Sequence, residues 1–67
     1  MIKYIISSGT SVISQIPTVE SGQINYSLSN VAENAVRFDT IGDAMREAAK
    51  VNQVLGTSAY RAMSIEI

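Results

Sequence analysis

One stretch of this 67-residue chain, Thr40–Gly56 (T-I-G-D-A-M-R-E-A-A-K-V-N-Q-V-L-G), repeats its apolar residues at helical spacing over several turns. Ile41, Ala44, Met45, Ala48, Val51 and Leu55 fall on one face, and Asp43, Arg46, Glu47, Lys50 and Gln53 on the other. Thr40 precedes the pattern and can accept from the backbone N–H of Asp43, which makes Thr-x-x-Asp a capping-box variant. Asp43 also puts negative charge at the positive end of the helix dipole. Gly56 is placed to close the helix in a left-handed conformation. The apolar stripe is narrow, and Ala44 and Ala48 are small enough to let the helix lie close against a sheet. A chain with one long helix must bury that stripe on something, and the remaining sequence supplies strands.

Ile2–Ser7 alternates, with Ile2, Tyr4 and Ile6 on one side and Lys3, Ile5 and Ser7 on the other. Ser8-Gly9-Thr10 reads as a turn, and Val12–Ile16 as the returning strand of a hairpin. Pro17 ends that strand or marks an edge, since proline has no N–H for a ladder. Thr18–Gly22 reads as a loop or a wide hairpin connection. Gln23–Leu28 alternates cleanly, with Ile24, Tyr26 and Leu28 inward. Ser29-Asn30, with Glu33 three residues after Asn30, predicts a helical turn near Val31–Ala35. Val36–Phe38 is a short extended piece carrying Phe38, the single phenylalanine, as a core anchor. Ala59–Ile67 alternates again and is expected to tie the end of the chain into the sheet. The fold expected is α+β, one domain over residues 1–67. A mostly antiparallel sheet of four to five strands carries the main helix (40–55) on one face.

Composition then narrows the chemistry. There is no cysteine and no histidine, which excludes disulfides, thiolate metal sites and histidine-based acid–base work. Lys3, Arg37, Arg46, Lys50 and Arg61 are scattered, so nothing tracks a phosphate backbone. Asp39, Asp43 and Glu47 could in principle share a hard cation or a proton. Their spacing fits better with an acidic helix start. The glycines are isolated, so no phosphate loop is present. Nothing here reads as a catalytic, metal or cofactor site, and the chain is expected not to be an enzyme. Its longest apolar run, Tyr4–Ile6, is too short for a leader or a membrane span. The expectation is a soluble protein of the cytoplasm. A chain this short buries only about 60% of its unfolded surface. With disulfides excluded, oligomerisation is the expected reinforcement, a homodimer being favoured.

The opening K-Y-I-I-S-S-G hairpin, the A-V-R-F-D-T step into an alanine-bearing helix, and the closing A-Y-R-A-M-S-I-E-I strand form an outline covering most of the chain. This outline resembles small proteins encoded by bacteriophages and prophages. The resemblance implies a non-enzymatic inhibitor of a host or defence protein, as in anti-CRISPR proteins, or an oligomer that sequesters a signalling nucleotide. No functional residue maps across, because no motif within the outline is specific.

Two surfaces follow from the alternation. Ile5, Ile13, Tyr60 and Ala62 are the candidate partner or oligomer interface, on a sheet face opposite the helix. Arg37, Arg61 and Tyr26 are the candidate contacts for a small anionic nucleotide, supplying charge and a stacking surface. A subunit of a larger assembly is the third possibility. Which strand face meets the helix is not determined by alternation alone, since a one-residue slip exchanges every inward and outward assignment.

Overall fold

The computed structural model describes residues 1–67, the side chain of Val19 excepted. It contains β1 (Ile2–Ser7), β2 (Val12–Glu20), β3 (Gln23–Ser29), a 3-10 turn (Ala32–Asn34), α1 (Ile41–Leu55) and β4 (Arg61–Glu66). The strands form one four-stranded antiparallel sheet in the order β3-β2-β1-β4, and α1 packs on one face. This is the α+β architecture expected.

The helix begins and ends where its sequence directs. Thr40 Oγ1 accepts from the Asp43 N–H at 3.2 Å. Gly56 adopts φ 66°, and its N–H donates to the Asn52 carbonyl. Ala44, Ala48 and Val51 are buried against Ile6, Ile13, Phe38 and Tyr60, with Tyr4, Val36 and Ala62 at the margin. Small side chains at the contact allow this close approach. Ile41, Met45 and Leu55, expected in the same stripe, are exposed, Met45 to 58%.

β2 continues through Pro17 to Glu20, so the strand does not end there, and the connection expected over Thr18–Gly22 narrows to Ser21-Gly22. Register shifts flank Gln15, one between Ile13 and Gln15 and one between Gln15 and Thr18. In both, the extra residue lies on β2, and the second interval contains Pro17. A bulge residue need not donate to the ladder, which is how proline is accommodated inside the strand. Ser21 (φ 53°) and Gly22 (φ 79°) then form a two-residue turn with two positive φ angles, the geometry that matches strand twist in a tight hairpin.

β1 and β2 share only one register pair, Ser7 with Val12. Beyond it they diverge, and residues 36–38 enter the gap. The Val36 N–H donates to the Ile13 carbonyl at 2.9 Å, while Phe38 exchanges two backbone bonds with Tyr4, at 2.8 and 3.0 Å. The short extended piece is therefore a wedge completing the sheet, and it delivers Phe38 to the core as expected. The helical turn expected before it is a 3-10 turn. It is secured by Ser29 rather than Asn30: the Val31 N–H and Asn34 Nδ2 both donate to Ser29 Oγ. This turn folds across the helix-free face, where Ala35 joins Ile5 and Val12 in a second buried cluster with Ile65 at its edge.

Candidate functional site

Register fixes which residues share a face. Ile6 lies opposite Ala62 and Tyr4 opposite Ser64, on the helix side. Ile5 lies opposite Met63, Lys3 opposite Ile65 and Ser7 opposite Arg61, on the other side. The expected interface therefore does not form as drawn. Ile13 is completely buried and Tyr60 is 9% exposed, both beneath α1, where Ala62 packs beside them. Ile5 does face away from the helix, but it is covered by the second cluster. The physical reason is that Ile13 and Tyr60 follow turns that reset strand phase, so alternation within each strand could not relate one face to another.

The apolar surface left open lies elsewhere. β4 is an edge strand, and α1 overhangs it. Ile41, Met45, Ala48, Ala49 and Asn52 of the helix, with Tyr60 just before the strand and Arg61 and Ala62 within it, line a groove of about 350 Å³. Ile41 and Met45 project at four-residue spacing along the side of the helix next to this edge. The helix thus splits its apolar stripe: Ala44, Ala48 and Val51 face the sheet, Ile41 and Met45 roof the groove, and Leu55 is exposed away from it. Sequence periodicity marked all of them but could not divide them.

Asn52 sets one end of the groove. Its Nδ2 donates to the Tyr60 carbonyl at 2.9 Å, and the Tyr60 N–H donates to its Oδ1 at 3.1 Å. The side-chain amide occupies the peptide groups of Tyr60 as a neighbouring strand would. Beyond it, from Arg61 onward, the outer edge of β4 meets no further strand.

The charged residues are mostly engaged locally. Lys3 pairs with Asp39, Arg46 with Asp43 at 3.4 Å, and Lys50 with Glu47 at 3.1 Å. Asp39 is held below the ordinary carboxylate range by the hydrogen bond from Lys3 and by its charge. Asp39, Asp43 and Glu47 each have their own cation, and among the described residues no group of three metal-ligating side chains converges. Arg37 and Arg61 take part in no ion pair among the described residues. The Tyr4–Phe38 bridge puts Phe38 on the helix side and so Arg37 on the other, the face to which the Ser7–Arg61 pair also assigns Arg61. Tyr26 is not with them. It lies on β3, at the opposite edge of the sheet from Arg61, more than about 14 Å away at ordinary strand spacing.

Comparison with known proteins found no matching family model, no matching curated protein and no matching solved structure. No helix among the described residues is long and apolar enough to cross a membrane.

Proposed function

We propose that this chain is a small non-enzymatic binding protein whose recognition surface is the groove between α1 and the free edge of β4. The observation that carries this reading is the coincidence of an unpaired strand edge with an apolar roof. Exposed Ile41 and Met45 overhang the groove, and Arg61, with no ion pair among the described residues, borders it from the sheet face away from the helix. An extended segment of a partner protein can add to β4 through main-chain bonds and place alternate apolar side chains under the helix. A carboxylate on that segment would meet Arg61. In keeping with the resemblance to phage inhibitors, the partner is a host or defence protein and the effect is occlusion of the surface that donates the segment. The interface thus moves from Ile5, Ile13, Tyr60 and Ala62 as a set to the groove, which only Tyr60 and Ala62 line.

The test is selection from a library of random linear peptides, followed by amide exchange of the complex. The expected peptides alternate apolar residues and carry an acidic group, and they slow exchange on β4. Met45→Glu should abolish their binding while the protein stays folded. Selected peptides that protect another element would overturn the assignment.

A second reading, a sponge for a small anionic nucleotide, is favoured only by Arg37 and Arg61 being unpaired on one face. Native mass spectrometry of protein taken directly from its producing cells would reveal a retained ligand of a few hundred daltons, on the order of a mononucleotide or dinucleotide. Loss of that mass on Arg61→Ala would support this reading.

A further inference from the structure

The other edge of the sheet differs in kind. β3 is seven residues, Q-I-N-Y-S-L-S, with no charge and no proline. Natural edge strands are ordinarily kept from pairing by charges, prolines, bulges or short length. β4 carries Arg61 and Glu66 at its ends, charges that admit only a segment of complementary charge. β3 carries none of these protections, and because both extra residues of the β2–β3 ladder lie on β2, β3 itself runs unbroken.

The strand is also symmetric in polarity about Tyr26. Ile24 mirrors Leu28, Asn25 mirrors Ser27, and Gln23 mirrors Ser29. When two identical strands pair antiparallel about a two-fold axis normal to the sheet, residues equidistant from the axis stand opposite each other on the same face. With the axis at Tyr26, every apolar residue meets an apolar one and every polar residue a polar one, over the full length of the strand. Leu28, 45% exposed in the single chain, gains Ile24 of the second copy as its cross-strand neighbour. No like charges are brought together.

We infer that β3 pairs with β3 of a second copy of this chain about a two-fold axis at Tyr26, joining two four-stranded sheets into one of eight. The contact is isologous and closed. It leaves both β4 grooves free at the far ends of the joined sheet, so it stands or falls independently of what those grooves bind.

The experiment uses the absence of cysteine. Opposite Cβ atoms in such a pair lie about 4.5–5.5 Å apart. Tyr26→Cys alone should therefore oxidise to a disulfide-linked dimer, whereas Ile24→Cys and Leu28→Cys should cross-link to each other in a mixture and not to themselves. The unmodified chain should sediment at twice its 7.2 kDa mass. Tyr26→Lys, which sets two lysines face to face, should weaken dimerisation about tenfold with unchanged far-UV circular dichroism. If Tyr26→Lys fails to fold, the cysteine series decides. A chain that stays monomeric at millimolar concentration overturns the inference. So does a dimer that cross-links through Ser64→Cys on β4 but not through Tyr26→Cys.

Discussion

Asn52 acts as a side chain doing the work of a strand. By donating to and accepting from Tyr60, it closes the peptide groups at the start of β4 and joins the last turns of α1 to the sheet. Asn52→Ala leaves a part-buried N–H and a carbonyl without those partners, and each such loss costs about 1–3 kcal/mol where water cannot substitute. The expected result is a destabilisation of about 2–3 kcal/mol, read as a lower urea midpoint with an unchanged m-value. Helical spacing puts Asn52 at the edge of the apolar stripe, where a polar residue bonds to backbone or contacts a partner. Tyr60 as its partner was not legible, because that pairing depends on how the chain returns after Gly56. Asp39 offers a second test at this scale. Its carboxyl is lowered by Lys3, so ionised Asp39 favours the folded state. That contribution is fully present above the ordinary carboxylate pKa and is lost as pH falls through the lowered one. Asp39→Asn should therefore be less stable than the parent at neutral pH. The two stability curves should converge in acid, as measured by thermal melts across pH.

At the scale of elements, the helix was the most legible part of the chain, since its two ends are encoded by local chemistry at Thr40 and Gly56. Its orientation was not. The same periodicity describes residues that touch the sheet and residues that overhang it, and only packing separates Ala48 from Met45. The distinction is measurable. Ala48→Leu forces added volume into the α1–sheet contact and should cost about 1–3 kcal/mol. Met45→Glu lies on the exposed side and should change stability by no more than about 0.5 kcal/mol, while removing groove binding. Equal destabilisation by both would mean that the helix is rotated from the position described. The strands show the complementary difficulty. Their alternation was legible, but bulges around Gln15 and the wedge at 36–38 reset phase and neighbours, and no local residue type announces either. Pro17 is the plainest case: its chemistry forbids a ladder bond, which ends a strand only where a bulge has not already removed the need for one.

At the scale of the whole molecule, size makes association and stability one question. A domain of this length buries a modest fraction of its surface and has little margin. If the folded state is the β3-paired dimer, unfolding releases two chains, and mass action makes the melting temperature depend on concentration. For a dimer of 67-residue chains with ordinary unfolding enthalpy, each tenfold rise in protein concentration should raise the midpoint by roughly 3–6 °C. Tyr26→Lys should flatten that dependence and melt at a lower temperature than the parent at high concentration, the two converging on dilution. A Met45→Glu variant should keep the parent's concentration dependence, because the groove lies at the other edge of the sheet. The two edges can thus be separated by one set of melts. A slope abolished by Met45→Glu and untouched by Tyr26→Lys would assign self-association to β4 and leave β3 as the edge open to a foreign strand.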